Sequence, residues 1–292
     1  MFEAATDVMS PAVADEWVIT PRVPSFRSRI REVGRYRDVI RYTALRALEK
    51  MYSRTVLGRL WLFIRPLFEV VVGTVIFGNI IGVKSENVPY FLFFLIGMTI
   101  WNLFGGSLMW ITRSLEMNHN VLKNSYFPRV ILPLGNAAPA WTTFGICVIV
   151  IVLTALYYYA TEQQMYLGVG VRTLAAIAAV VLTALLALAV GLWTSVLGVN
   201  ARDVRFALGY ATQFWFYLTP VIYPVSVIPE RWRWLAKVNP MAPLVETFKW
   251  GTLGVGHLDW FALGGSVVTI LVVLSVGCWF FNRSDPAAFD RI

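Results

Sequence analysis

Charge is scarce in this 292-residue chain: 14% of its residues are Asp, Glu, Lys or Arg, against 58% that are hydrophobic. A soluble protein of this length needs a more polar surface, so the composition, with a mean hydropathy of +0.63, places the chain in a membrane. Catalytic groupings are scarcer still. No Gly-Lys pair occurs, which excludes a Walker A phosphate loop on this chain. The two histidines, His119 and His257, lie far apart, with no cluster of carboxylate, His and Cys to hold a metal. Cys147 and Cys278 stand singly inside apolar runs, which is neither a disulfide framework nor a metal site. No serine sits in a nucleophile elbow. The first residues, acidic and proline-bearing without an apolar core, do not read as a cleavable signal peptide.

What is abundant is apolar sequence in long runs. Six stretches approach or exceed the ~20 residues a bilayer-crossing helix needs: Leu60–Ile81, Val88–Ile111, Val130–Tyr159, Val171–Val199, Phe206–Tyr223 and Phe261–Phe281. The third and fourth are over-long, which predicts tilt or protrusion. Eleven Lys and Arg precede Leu60, among them Arg27, Arg35, Arg41 and Arg46. By the positive-inside rule that end faces the cytoplasm, and an even span count returns the C-terminus to the same side. The Asn200–Arg205 turn with Arg202 and Arg205 is then also cytoplasmic. The loops Gly82–Asn87 and Ala160–Gly170 hold Lys84 as their one basic residue, in agreement. The basic cluster suits anionic lipid better than nucleic acid.

The expected fold is therefore an all-α polytopic membrane protein. Residues 1–24 read as a disordered extension. Residues 25–59 read as a cytoplasmic interfacial segment, its helix (about Ser25–Ser53) mixing Ile30, Val33, Tyr36, Ile40, Leu45 and Leu48 with arginines. Residues 60–281 form the six-span domain and 282–292 a cytoplasmic tail. Two segments stand out. Between spans two and three, about 113–127, Asn118, Val121, Leu122 and Ser125 fall at helical spacing before Pro128, as in a docking helix, or the segment is an ordinary loop. Between spans five and six, about 224–260 is too polar and proline-rich to span and too apolar for a free loop. It reads as short helices re-entering the outer leaflet, or as a cap lying flat on the surface. Its basic residues Arg231, Arg233, Lys237 and Lys249 strain the positive-inside rule.

Ionisable residues inside the spans are few, which disfavours ion-coupled transport. Glu69 is the deep one, about 14 Å along a helix from Leu60. Arg65 four residues earlier either pairs with it along one face, or the carboxylate faces a pore. On the fifth span Phe206, Tyr210, Phe214 and Tyr217 recur as one stripe. Such a stripe either packs helices or offers rings on which the C–H faces of sugars slide.

Three motifs then carry a family resemblance. The first is Tyr52-Ser53-Arg54-Thr55-Val56-Leu57-Gly58-Arg59-Leu60-Trp61 with Arg65-Pro66-Leu67. The second is Asn120-Val121-Leu122-Lys123-Asn124-Ser125-Tyr126-Phe127-Pro128-Arg129 with Ile131-Leu132-Pro133. The third is Phe216-Tyr217-Leu218-Thr219-Pro220-Val221-Ile222-Tyr223-Pro224, followed by Asn239-Pro240-Met241-Ala242-Pro243 and Glu246. Together they span about residues 35–283, and the chain resembles the Wzm-like permeases of polysaccharide-exporting ABC transporters, which serve O-antigen, teichoic-acid or cell-wall galactan export.

The resemblance implies a homodimer in a bacterial inner membrane with both termini cytoplasmic. Two copies of a separate Walker-A subunit bind ATP and Mg, and this chain carries no cofactor of its own. The implied substrate is a polyprenyl-pyrophosphate-linked polysaccharide. It also implies roles: Glu116, Asn118, Asn120, Leu122, Lys123 and Tyr126 in coupling to the ATPase, and Arg41, Arg54 and Arg59 at the lipid head group. Phe206, Tyr210, Phe214 and Tyr217 would line the path, with Trp232 and Trp234 at an external gate. Two rivals stay open: a drug or small-lipid ABC exporter, and a membrane-bound glycosyltransferase or prenyl-phosphate enzyme. The second needs acidic pairs at a membrane face, whereas Asp203 stands alone and Glu230 and Glu246 lie outside.

Overall fold

The computed structural model describes residues 34, 36–53, 55–119, 129–168 and 170–283, and these are helical apart from turns and connections. Helix α1 (Arg37–Tyr52) precedes a 3-10 turn at Gly58–Leu60 that leads straight into α2 (Trp61–Gly73). Thr74–Ile80 continues α2 in π-helical turns. Next come α3 (Tyr90–Thr112), the one-turn α4 (Ser114–Met117), α5 (Ile131–Asn136) and α6 (Ala138–Glu162), whose Pro139 sits in the first turn where no amide donor is lost. Helices α7 (Val171–Asn200) and α8 (Arg202–Leu218) follow. Two 3-10 turns, α9 (Arg233–Val238) and α10 (Met241–Leu253) lead to α11 (Trp260–Arg283).

Five helical stretches are long and apolar enough to cross a membrane: 58–80, 90–112, 131–162, 171–199 and 260–283. They coincide with five of the six expected spans. At about 1.5 Å per residue, the third and fourth exceed the ~30 Å hydrocarbon core, as their sequences predict. The remaining expected span departs from expectation. The apolar pattern continues to Tyr223, yet α8 stops at Leu218, because Pro220 cannot donate into the ladder and Thr219 turns extended. Its start also differs. In place of a turn over Asn200–Arg205, the chain breaks at the single extended residue Ala201 (φ −140°, ψ 115°), so both Arg202 and Arg205 are helical.

Helix α3 is the centre of the molecule, buried without interruption from Leu92 to Trp101. Helices α6 and α7 flank it, α11 packs on the far side of α7, and α10 wedges between α7 and α3. Between apolar helices in a membrane there is little hydrophobic drive, so close approach through small residues carries the packing. Gly251 of α10 shows the constraint: a Cβ there would lie 2.7 Å from the Ala176 amide nitrogen and 2.8 Å from the Arg172 carbonyl oxygen of α7. At the opposite end of the molecule α1 packs across α5. Helices α2 and α8, by contrast, sit at the periphery, and α8 has no buried residue.

Because the obstruction at Gly251 is backbone, a side chain there cannot be absorbed by rotamer change. Gly251→Val is expected to cost about 1–3 kcal/mol, read as a lowered melting temperature of the purified protein in detergent. Gly265→Ala on α11, where a Cβ meets nothing within 4 Å, should leave it unchanged.

Candidate functional site: a membrane groove and its broken-helix end

A groove of about 850 Å³ runs along the membrane domain, walled by α2 on one side and α8 on the other. Its floor is α3, through Met98, Trp101, Asn102 and Gly105, with Pro139, Ala140 and Thr143 of α6. It extends along α2 from Trp61 to Phe77, about 24 Å at helical rise. The lining is mixed. Arg65 Nε donates to Glu69 Oε1 (3.2 Å) and Asn102 Nδ2 to Glu69 Oε2 (3.4 Å), so the deep carboxylate both pairs and faces the groove. The pairing expected from sequence is present, and the same carboxylate borders the groove. Ionisable groups at this depth are tolerated where they face a wet cavity.

Helix α8 explains why the groove is open. It carries Arg202, Asp203, Arg205, Thr212 and Gln213 and is 17 residues long, so it suits neither lipid nor a dry core. Its inner face is held to α3 by rings: Phe216 against Trp101 at 5.4 Å, and Trp215 edge-on to Phe104 at 5.0 Å. Gly209, Thr212, Gln213 and Phe216 face the groove. The stripe Phe206, Tyr210, Phe214 and Tyr217 lies on the adjoining face with 55–71% exposure, and of these four only Tyr217 borders the groove. Within one chain the stripe stays largely exposed, with Tyr217 edge-on to Phe216 at 5.4 Å.

Where α8 breaks, buried carbonyls lose helical partners and must find others. Thr219, Pro220, Val221 and Ile222 are all buried. Lys249 of α10 is fully buried; its ammonium donates to Pro220 O (2.7 Å) and Val221 O (3.2 Å), and lies 3.8 Å from the Phe93 ring centroid. Gly97 of α3 leaves room for it, since a Cβ would sit 3.1 Å from the Lys249 Cε. Tyr90 donates to Ile222 O (2.8 Å) and Tyr223 to Tyr217 O (2.8 Å). Asn239 uses its whole amide: Oδ1 accepts from Trp215 Nε1 and the Met241 amide, and Nδ2 donates to Thr219 Oγ1 and Leu218 O. Three of the four basic residues behind the positive-inside anomaly are engaged within the protein. Lys249 is a structural donor, Arg233 forms an ion pair with Glu230 at 3.7 Å, and Arg231 stacks on Trp232 at 5.7 Å.

At the other end, Glu116 of α4 forms an ion pair with Arg205 at the start of α8. Lys50 of α1 donates to Met117 O (2.9 Å), so α1, α4 and α8 meet at one junction. Burial, then the nearby Arg46 and Arg113, hold the Lys50 ammonium below the usual lysine range. Asn118 is buried and donates to Ser114 O (2.8 Å). Arg41 and Arg59 are exposed on α1 and the first 3-10 turn. Trp232 and Trp234 are about half exposed beyond the α8 break. Arg54, Asn120, Leu122, Lys123 and Tyr126 lie outside the described residues, as do the 1–24 extension and most of the proposed docking helix.

Sequence reasoning placed Asn239 and Glu246 in a motif without a role, and read Lys249 only as a misplaced charge. The signal was present: a lysine in a tryptophan-flanked apolar run downstream of a Thr-Pro break. Losing Lys249 strands two buried acceptors, at about 1–3 kcal/mol each. Lys249→Met should therefore lower the melting temperature of the purified protein much further than Tyr90→Phe, which removes one hydrogen bond worth about 1 kcal/mol. Equal, small effects would show that water serves these carbonyls.

With the geometry established, comparison with known proteins gives a consistent result. The family model for the ABC-2 type transporter matches residues 39–253, most of the chain. The chain is similar to an O-antigen export system permease protein of Klebsiella pneumoniae, at 27% identity over 81% of this chain and 88% of that protein. A protein of the same description from Myxococcus xanthus is 26% identical over 75% of this chain and 82% of its own length. An inner membrane transport permease of Escherichia coli K12 is 22% identical over 80% and 93%. The chain belongs to the ABC-2 type transporter family, as a multi-pass membrane permease subunit and not an enzyme.

Proposed function

We propose that two copies of this chain form an exporter for a polyprenyl-pyrophosphate-linked polysaccharide in a bacterial inner membrane, with both termini cytoplasmic. An ATP-binding partner follows from the family; two copies of it, each holding ATP and Mg, complete the proposed assembly. The observation that carries the reading is the open groove between α2 and α8, with an amphipathic, unburied α8 beside it. Such a helix needs a non-lipid neighbour, and a second copy facing it closes two grooves into one path. That path holds the Phe206–Tyr217 stripe on its walls, where rings serve a sliding glycan better than fixed polar contacts would.

The substrate class draws its support from the relatives described as O-antigen export permeases. Length supports it too: a groove about 24 Å long suits a polymer more than a small drug, which favours a closed apolar pocket. A cell-wall galactan fits the same geometry. In this reading Arg41, Arg54 and Arg59 meet the pyrophosphate head through guanidinium forks. The 113–127 segment docks on the ATPase, α9 and α10 re-enter the outer leaflet as the sixth-span counterpart of a gate, and Trp232 and Trp234 flank the exit.

The Glu116–Arg205 ion pair gives docking a mechanical consequence. Force on the segment after α4 reaches α8 directly, without passing through the α3 core. ATP binding on the partner then moves one wall of the groove relative to the other.

Two experiments test this. Affinity purification of the tagged chain from native membranes should recover a Walker-A ATPase at a one-to-one ratio, and deleting the gene should strip the exported polysaccharide from the cell surface. Recovery of the chain without any ATPase in mild detergent, nucleotide present, would sink the assembly. For coupling, Glu116→Arg should cut surface polysaccharide at least about tenfold, and adding Arg205→Glu should restore much of it, since double replacement re-forms an interaction that either single change breaks.

A further inference from the structure

A second cavity of about 480 Å³ lies at the end of the molecule away from α1, bounded by the turn before α3, the 3-10 turn at Val225–Val227, α9, α10 and the start of α11. It is separate from the groove, with no lining residue in common. Glu246 of α10 and Glu86 converge there on Gly256, whose absent Cβ would lie 3.3 Å from Glu246 Oε2 and 3.7 Å from Glu86 Oε2. Gly256 has φ +83°, a conformation that spares the site a side chain. Glu86 and Asn87 are both held at positive φ, 55° and 66°, an uncommon strain for residues other than glycine.

Glu246 lines the cavity, and one of its two carboxylate oxygens, Oε1, is buried without a hydrogen-bond partner. A buried acceptor left unpaired is costly and calls for an explanation. Lys249, one turn away, does not supply one, since its ammonium is committed to the carbonyls of Pro220 and Val221. Burial first, and then the neighbouring Glu86, push the Glu246 carboxyl above its ordinary range, against the pull of Lys249 and His257. Asp259, by contrast, is accounted for, because its Oδ1 caps α11 by accepting from the amides of Phe261 and Ala262.

We propose that this cavity binds a neutral sugar residue of the exported glycan at the exit, its hydroxyls donating to Glu246 and Glu86. The inference rests on the polysaccharide reading above. The wall chemistry selects the ligand. Carboxylate acceptors alternate with donors, Ser226 already donating to Glu86 Oε1 at 3.3 Å and Arg233 and Lys237 standing at the side. A hydroxyl group donates and accepts at once and satisfies both kinds of wall. A metal ion does not fit: among the described residues no trio of His, Cys, Asp or Glu is grouped to ligate one, and the flanking cations oppose it. The volume falls in the range of ligand-sized clefts, and the small apolar walls of Ala236, Ala242 and Pro243 suit the C–H face of a ring. An exit subsite of this kind holds the emerging chain against backsliding while the groove resets.

The test uses the permease–ATPase complex in nanodiscs and, as probe, polysaccharide from the surface of the source cells, released from lipid by mild acid. Saturation-transfer NMR should show sugar protons in contact with the wild type. Glu246→Gln and Glu86→Gln, each nearly isosteric, should weaken the apparent affinity about tenfold or more, as expected for hydrogen bonds to a charged acceptor. Glu86 lies in a surface turn, so its variant remains informative if Glu246→Gln folds poorly. Equal affinity of both variants and wild type overturns the subsite, as does absence of any saturation in the wild type. The gene deletion separates the two readings: if surface polysaccharide is lost on deletion, only the subsite falls; if it persists, the exporter reading falls as well.

Discussion

Everything distinctive in this molecule depends on how it satisfies a helix broken in a buried place. Pro220 ends α8 within the protein, and the backbone from Leu218 to Ile222 then needs donors that no regular structure supplies. Lys249, Asn239 and Tyr90 provide them from three different segments. These bonds run from 2.7 Å (Lys249 to Pro220 O) to 3.3 Å (Asn239 to Leu218 O) in a low-dielectric setting, where an unmade bond is expensive. The arrangement has a geometric result: the end of the groove wall is bound to α10, and α10 is bound through Gly251 to α7. The segment beyond the break is thus part of the rigid body and not a loose loop.

The opposite end of α8 is built differently. There an ion pair joins Glu116 to Arg205, partly open to solvent and backed by Lys50 on the Met117 carbonyl. A charged pair of this kind is weaker and more easily rearranged than a buried network. One wall of the groove is consequently firm at its α10 end and adjustable at its α1 end. The firm end lies beside the cavity that Glu246 and Glu86 share.

Helix α8 also illustrates why a missing neighbour can be read from physical chemistry. It is too polar for lipid, too exposed for a core, and lined on one face by aromatics that stay more than half exposed. Its inner face is fully engaged by Trp101 and Phe104. That outer face is where the proposed assembly places a second copy.

Local pattern determined much of this protein. Apolar run length alone located five crossing helices to within a few residues, because backbone polar groups cannot be left unpaired in lipid. Ordered motifs identified the family. What local pattern misread was the far end of α8, since hydropathy runs on through Thr219–Tyr223 while one proline decides the helix. It also left the roles of Lys249, Asn239 and the Glu116–Arg205 pair blank. Those roles rest on contacts between residues 20 to 89 positions apart along the chain. Sequence determined which segments are helices and which belong to the membrane, since those follow from short-range hydrogen bonding and transfer free energy. Only the tertiary structure decided which buried charge is a donor, which carboxylate is unpaired and which helix face stays open, because each depends on what another segment brings within 3 or 4 Å.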